Sequence, residues 1–230
     1  MDIVYQDDHY VAINKPSGLL VHRTPLARAR FFALQMLRNQ VGRHVYPVHR
    51  LDRSTSGVLV FALSPEAARR LGDCFSQRTV RKIYYAVVRG YTDTEGVIDH
   101  PICSRQTKEI QEALTTFERK ATVELDTQVG RYPTARYSLV KVQPRTGRMH
   151  QIRRHFAHIA HPVIGDTTHG DSHHNRFYRR QFKLQRLLLY AGSLGFTHPY
   201  TGLPINIKAP MDKAFLIVFK AFGWNDISVD

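Results

Sequence analysis

The amino-acid sequence predicts a single mixed α+β domain, and three observations point to this class. Runs of β-branched and aromatic residues, at 58–61 and 81–88, are typical of strands. Segments with apolar residues at helical spacing or with helix-start signals alternate with these runs, at 25–43 and 64–75. No internal repeat or low-complexity block interrupts the 230 residues, a length that can bury a substantial core. We therefore assign residues 1–230 to one domain.

The chain opens with a predicted hairpin. Segments 3–5 and 10–14 have strand character and flank Asp7 and Asp8, which are typical turn residues. The Lys-Pro-Ser-Gly run at 15–18 then bends the chain. This run is compatible with a purely structural turn.

Two helices and one long strand follow. The segment 25–43 is predicted as a helix from its apolar spacing. A second helix begins with Ser64 as its N-cap and Pro65 as its first helical residue. The segment 78–89 is predicted as a strand whose alternation leaves one face wet and basic.

The second half of the chain contains two segments rich in hydrogen-bond donors. Residues 144–158 begin as a Gly-containing turn and become a helix, whose N-terminus would hold a phosphate or a carboxylate. Residues 175–186 mix arginines with aromatic rings, which suits phosphate contacts and base stacking, or else a solvated helix face. The stretch 93–111 has a weak pattern and is predicted as an irregular connection. The remaining predicted elements are strands at 113–128, 133–142, 187–196 and 205–208 and a helix at 215–224.

The charge of the chain indicates the class of its partner. A formal net charge of +14 produces a field that attracts a polyanion, so nucleic acid is the leading candidate. An anionic membrane surface is the competing explanation. No long basic amphipathic segment supports it, and the arginines are interleaved with Tyr, Phe and His throughout.

Cysteine usage and the N-terminus indicate the compartment. Cys74 and Cys103 cannot build a disulfide framework, and neither belongs to a paired spacing typical of zinc sites. The first eight residues are acidic and lack the cationic start of a signal peptide. We therefore expect a cytoplasmic protein without a membrane anchor.

The stretch 49–62, HRLDRSTSGVLVFA, contains the leading candidate catalyst. Asp52 lies beside Arg50 and Arg53, and opposite charges nearby favour an ionised carboxylate, which suits a nucleophile or a base. Gly57 and the β-branched run after it predict a loop that feeds a buried strand. An aspartate held structurally in local ion pairs fits the same pattern, and from spacing alone that role is the commoner one.

Other titratable residues invite weaker interpretations. His155, His158 and His161 have a spacing of three, but zinc sites require a fuller ligand set than this. We expect no metal, and imidazoles that bond to the backbone on a partly buried helix face. Asp166 and Asp171 lie in predicted tight turns, and we expect turn roles for both.

Five separated blocks carry a resemblance to a known family. They are NKPSG at 14–18, HRLDRSTSG at 49–57, KIY at 82–84, TGRMHQIR at 146–153 and the segment 187–199. In this order and spacing they resemble the RluA-type pseudouridine synthases. The resemblance implies a long mixed, mainly antiparallel sheet with a central cleft and flanking helices, and neither a metal nor an organic cofactor.

The resemblance also implies roles for individual residues. Asp52 would be the essential aspartate, Tyr84 the aromatic residue stacked against a flipped base, and Arg153 the basic partner of the aspartate. Arg50 would enter the RNA stack and help expel the target uridine. Tyr190 stands where the family commonly has His, which leaves its role open. The other implied site residues are Arg53, Lys82, Arg148 and His150 as RNA contacts and Ile152 and Leu189 as walls of the uracil pocket.

A narrower similarity concerns the substrate. The blocks at 130–134, 169–171 and 222–224, with Asn175 and Arg176, resemble the tRNA-modifying members of the family that act on uridine 65. The chain starts directly at the catalytic domain, so we expect no S4 RNA-binding domain. Two alternatives stay open: a ribosomal RNA substrate, and a non-catalytic RNA-binding protein on the same scaffold. We expect a monomer whose partner is RNA, preferably tRNA, with no obligatory protein partner.

Overall fold

The helices and strands of the computed structural model are given for residues 1–22, 31–104 and 106–228, the part of the chain that the structure describes. In chain order they are β1 (Ile3–Gln6), β2 (Tyr10–Lys15), α1 (Ala33–Val41), β3 (Tyr46–Pro47), β4 (Ser56–Ala62), α2 (Pro65–Ser76), β5 (Arg81–Arg89), β6 (Glu95–Asp99), β7 (Ile102–Cys103), β8 (Ile110–Gln111), β9 (Leu114–Leu125), β10 (Ala135–Pro144), α3 (Gln151–His158), α4 (Ser172–Phe182), β11 (Leu189–Thr197), β12 (Pro204–Lys208) and α5 (Lys213–Phe222). The α+β class is confirmed.

The contacts within the chain define two compact units. Unit 1 comprises Met1–Lys82 and Ala191–Pro210, and unit 2 comprises Ile83–Tyr190 and the segment that starts at Met211. The boundary falls within β5 and within β11. One catalytic domain over residues 1–230 and a central cleft stay predictions.

Unit 1 is built on fully buried strands. Its strand order is β1-β2-β4-β11, with β12 paired to β11 and β3 paired to β4. Every residue of β4 is buried, which explains its continuous apolar run. Helix α2 covers this sheet with Ala67 and Leu71, and its predicted N-cap is confirmed because the N–H of Ala67 donates to Ser64 Oγ at 3.1 Å. The predicted hairpin is confirmed as the antiparallel pair β1 and β2.

Unit 2 is built on longer antiparallel strands. Strands β5, β10, β9 and β6 are neighbours in that order. The core between this sheet and α3 includes Ala86, Val140, Ile152 and Phe156. The predicted strands in β9 and β10 and the closing helix α5 are confirmed with shifted ends.

Three predictions of local structure were wrong or incomplete. The stretch 93–111 contains β6, β7 and β8, and β6 pairs with β9. The pattern of β6 is weak because charged ends and alternating exposure are typical of an edge strand. The wet face of β5 ends at Tyr84, since Tyr85 to Val88 are all buried. Helix α1 starts at Ala33, and residues 25–30 of the predicted helix lie outside the described residues.

Helix α4 corrects the prediction of base stacking at one of its three rings. Tyr178 is buried, and Phe177 and Phe182 pack edge-on against it. Tyr178 is therefore unavailable to bases, whereas Phe177 and Phe182 are half-buried, and base stacking by these two rings stays a prediction. The arginines of the same helix are exposed, as the solvated-face alternative requires.

None of the described helices combines the length and the apolar character that crossing a bilayer demands. The described residues also contain no cluster of three or more His, Cys, Asp or Glu side chains placed to bind a metal ion.

Candidate active site

Asp52 lies in the loop that precedes β4, and its side chain is half-buried. The N–H of Thr55 donates to the carbonyl of Asp52 at 3.1 Å, which closes a turn directly after the carboxylate. Ser17 Oγ donates to the carbonyl of Ser54 at 2.7 Å and joins this turn to the segment after β2. The predicted supported loop is therefore confirmed.

Lys15 is the main support of this loop, a role that sequence reasoning missed. Its side chain is fully buried, and Nζ donates to the carbonyls of Pro16 and Leu19, each at 2.9 Å, and of Arg53 at 3.2 Å. The carbonyl of Arg53 also accepts from the N–H of Gly18 at 2.7 Å. A buried ammonium thus fixes the backbone next to the candidate catalyst. The signals in the sequence were a lysine at the end of a mostly apolar strand and its place in the NKPSG block at 14–18.

Replacing Lys15 by methionine is expected to lower the free energy of unfolding by about 2–4 kcal/mol, because three carbonyls lose a charged donor. Urea denaturation followed by circular dichroism measures the loss, and amide hydrogen exchange at Gly18 reports the loop itself. Lys120→Met is the matched control, since Lys120 pairs with Glu118 on an open strand surface. Equal effects in the two variants would contradict the assigned role.

His49 and Gly57 fix the two ends of the loop. The N–H of Val60 donates to His49 Nε2 at 3.0 Å, and the imidazole stacks on Phe75 with ring centroids 4.9 Å apart. At Gly57 φ is +111°, and a Cβ there would lie 2.1 Å from the carbonyl oxygen of Ala191. Only glycine fits this position, because the neighbouring strand leaves no room for a side chain.

Desolvation, with a smaller effect of nearby Lys82, lowers the pKa of His49 to about 3. The unfolded state therefore binds more protons than the folded state at mildly acidic pH, and stability is lost as pH falls below about 6.5. The expected loss from His49 is about 1–2 kcal/mol between pH 6.5 and 5. Nuclear magnetic resonance of the His49 ring, assigned through His49→Gln, checks this by showing no protonation above pH 4.5. A titration midpoint of the His49 ring near 6.5 would contradict the lowered pKa.

The other predicted site residues of unit 1 lie around this loop or at the start of β5. Arg50 and Arg53 are exposed, and Arg53 Nε donates to the carbonyl of Gly18 at 2.9 Å.

Burial, with a smaller effect of Arg78, lowers the pKa of Lys82 to about 8. Lys82 therefore carries its charge at neutral pH and loses it in moderately alkaline solution.

Unit 2 brings together the three residues predicted to contact the base. Ile152 of α3 and Leu189 of β11 are buried in one apolar cluster, and the half-buried Tyr84 packs against that cluster. A flat ring beside aliphatic walls matches the chemistry of a pyrimidine site. Their roles as stacking residue and pocket walls stay predictions.

The turn before α3 is held by the buried amide of Gln151. Gln151 Oε1 accepts from Thr146 Oγ1 at 2.6 Å and from the N–H of Arg148 at 3.0 Å. Gln151 Nε2 donates at 3.0 Å to the carbonyl of Leu114 and to Thr115 Oγ1. This amide fastens the turn to the start of β9, another contribution that sequence reasoning missed.

Arg148 and His150 both lie in this turn. Arg148 Nε donates to the carbonyl of Glu112 at 3.1 Å. His150 adopts a left-handed conformation with φ of +57°, and its Nδ1 lies 3.1 Å from His169 Nε2. Binding of a phosphate or carboxylate at this helix start stays a prediction.

Arg153 forms a buried bidentate ion pair with Asp166. Arg153 Nε and Nη2 each lie 2.7 Å from a carboxylate oxygen, and the side chains are 6% and 0% exposed. Burial opposes ionisation of Asp166, but the bonds from Arg153 and from the N–H groups of His169 and Thr168 outweigh it and lower its pKa. The predicted turn role of Asp166 is confirmed by those N–H bonds, at 2.8 and 3.0 Å. The ion pair itself was not predicted.

Several secondary predictions can be placed in the structure. Asp171 is the N-cap of α4 and pairs with Arg89 at 2.6 Å, so its role is structural, but in a helix cap and not in the predicted tight turn. His155 and His161 lie 3.0 and 2.8 Å from backbone carbonyls, which confirms the expected backbone bonding for these two. His158 instead stacks on His100, with ring centroids 3.7 Å apart. Tyr190 is buried beside Phe215, and burial raises its pKa, so its phenol stays protonated.

The amino-acid sequence of this chain is similar to sequences of known proteins. Residues 9–158 match the family described as RNA pseudouridylate synthase. The chain is 46% identical over 237 residues to tRNA pseudouridine synthase C of Vibrio cholerae, covering 98% of this chain and 97% of that protein. It is 47% identical over 235 residues to tRNA pseudouridine synthase C of Haemophilus ducreyi, covering 98% of this chain and 97% of that protein.

Solved structures show a similar fold. Human RNA Pseudouridylate Synthase Domain Containing 1 superposes with a TM-score of 0.70 at 26% identity and covers 91% of this chain and 83% of that chain. Human RNA Pseudouridylate Synthase Domain Containing 4 superposes with a TM-score of 0.75 at 23% identity and covers 96% of this chain and 93% of that chain. The second similarity concerns the fold alone.

Proposed function

The chain belongs to the RNA pseudouridylate synthase family, a family of isomerases, and from this membership we propose that it converts uridine 65 of tRNA into pseudouridine. The observation that carries the proposal is the identity of about 46% to relatives named tRNA pseudouridine synthase C, over nearly the whole of each chain. The net charge of +14 supports an RNA partner. The enzyme acts as a cytoplasmic monomer.

The first task of the enzyme is to expose the uridine. A base inside an RNA helix is inaccessible, and unstacking it costs about a few kcal/mol. Arg50 supports this step because its exposed guanidinium lies two residues from Asp52. It fills the space that the base leaves and holds the neighbouring phosphates.

Asp52 then promotes cleavage of the bond between N1 and C1′ of the uridine. In one route a carboxylate oxygen bonds to C1′ while uracil leaves with the electron pair, and C5 of the rotated uracil later displaces the carboxylate. In the other route Asp52 removes the C2′ proton as uracil leaves, and that proton returns when C5 bonds to the resulting glycal. Both routes end with loss of the C5 proton, and both require an ionised Asp52.

Three residues are proposed to surround the base. Tyr84 provides a flat surface for the detached uracil, and Ile152 and Leu189 close the pocket around it. By resemblance to the family, Arg153 would be the basic partner of the catalytic aspartate. Asp166 fixes the orientation of the Arg153 guanidinium. Lys82, Arg53, Arg148 and His150 contact the RNA.

The test is direct mapping of the product. The purified protein is incubated separately with unmodified tRNA transcripts and with ribosomal RNA transcripts, and pseudouridine is mapped at single-nucleotide resolution. We expect one modified site, at uridine 65 of tRNA. Modification of ribosomal RNA alone would overturn the substrate, and tight binding without any pseudouridine would overturn the reaction.

A further inference from the structure

The exposed face of α4 carries a row of cations. Arg176, Arg179, Arg180 and the C-cap residue Lys183 are all exposed, and helical geometry places the three arginines within an arc of about 100°. Tyr178 faces the opposite way, into the interior of unit 2. The row extends for about 10 Å along the helix, since each residue rises about 1.5 Å.

This row is not explained by the needs of the fold. Arg176 and Arg180 stand four residues apart within the helix, where like charges repel and destabilise it. The helix sequence contains no acidic residue. Within the described residues none of the four cations pairs with a carboxylate, and the capping Asp171 is already paired with Arg89. The helix dipole favours the cations of the last turn but not Arg176.

The turn at 130–132 extends the same surface. A Cβ on Gly130 would lie 3.8 Å from the ring of His173 on α4, and Arg176 Nη2 lies 3.2 Å from His173 Nδ1. The next residue, Arg131, is exposed and donates to Tyr132 Oη at 2.8 Å. We call Arg131, Arg176, Arg179, Arg180 and Lys183 the α4 surface.

We propose that the α4 surface is a second RNA-binding surface, which contacts phosphates of a double-helical RNA stem outside the reacting nucleotide. The choice of RNA rests on the proposed function. A row of guanidinium groups suits phosphate oxygens. The rings that would stack on unpaired bases are buried or packed against Tyr178, and Tyr132 is engaged by Arg131. The surface therefore fits a duplex backbone and is blind to sequence.

The test compares two triple variants with the same change of charge. Arg176→Gln/Arg179→Gln/Arg180→Gln removes three cations of the α4 surface. The control Arg69→Gln/Lys120→Gln/Arg136→Gln removes three exposed or half-exposed cations that pair with carboxylates elsewhere. Binding is measured with a full-length tRNA transcript and with a short single-stranded oligonucleotide that contains the target uridine.

We expect the α4 variant to weaken tRNA binding at least about tenfold and to reduce the slope of log Kd against log salt by about 2–3. For the control variant, the slope of log Kd against log salt differs from the wild-type slope by less than about one. Binding of the oligonucleotide stays unchanged, and KM for tRNA rises while kcat does not. Substitution of the same three arginines by lysine retains the slope, which separates charge from misfolding.

Equal effects of the two glutamine variants on tRNA, or equal losses for tRNA and oligonucleotide, would overturn the proposal. The binding measurements do not depend on turnover. If wild-type protein binds tRNA but forms no pseudouridine, the proposed function fails, and the slopes still decide whether the α4 surface binds RNA.

Discussion

Replacing Asp52 by asparagine is expected to reduce pseudouridine formation by at least about 10⁴-fold, the scale on which enzymes lose kcat when a nucleophile is removed. Asparagine has nearly the same shape but can neither stabilise positive charge on the sugar nor bond covalently to C1′. Binding of tRNA should survive, because it depends on the cations of the protein. Release of tritium from 5-tritiated uridine in tRNA measures the reaction, and filter binding measures the affinity.

Asp73→Asn is the matched control for this experiment. Asp73 is an exposed carboxylate on α2 that pairs with Arg69, so its loss removes the same charge from the surface of unit 1. We expect activity within about twofold of wild type for the control. Substantial turnover by the Asp52 variant would exclude Asp52 as the catalytic residue.

Replacing Asp166 by asparagine is expected to lower the free energy of unfolding of unit 2 by about 3–5 kcal/mol. The substitution leaves the guanidinium of Arg153 buried without its counter-charge, which is far costlier than removing both partners. Trp224 is the single tryptophan of the chain and is buried in unit 2. Its fluorescence during urea denaturation therefore reports the unfolding of this unit.

Two further variants make the Asp166 result specific. Asp73→Asn breaks an exposed ion pair and should cost at most about 1 kcal/mol. Arg153→Met/Asp166→Asn removes both charges, and it should recover part of the stability that Asp166→Asn alone loses. A single Asp166 variant as stable as the Asp73 variant would show that the buried pair contributes little.

Local signals in the sequence were sufficient for much of the scaffold. Ser64 and Pro65 mark a helix start that the structure reproduces, and the run after Gly57 is the buried strand β4. These predictions succeeded because a helix cap and a continuous apolar run are each recognisable within a few consecutive residues. The edge strand β6 was not predicted, because its pairing with β9 defines it and the local sequence does not.

Long-range contacts explain what the sequence did not reveal about the candidate site. From the sequence, Lys15 was compatible with a purely structural residue of a turn. In the fold, its ammonium donates to the carbonyl of Arg53, which is 38 residues away in the chain. Arg153 and Asp166 are 13 residues apart, and neither local pattern identifies the other as its partner. Tyr178 of α4 suggested base stacking because composition alone cannot distinguish a buried ring from an exposed one.

The most direct test is made in cells of the source organism that lack the gene for this chain. Pseudouridine is mapped in total RNA from these cells after complementation with wild type or with Asp52→Asn. We expect uridine 65 of tRNA to be unmodified without the gene, modified with wild type and unmodified with the variant. Pseudouridine that persists at that site without the gene, or that returns with the variant, would contradict the assignment of uridine isomerisation to Asp52.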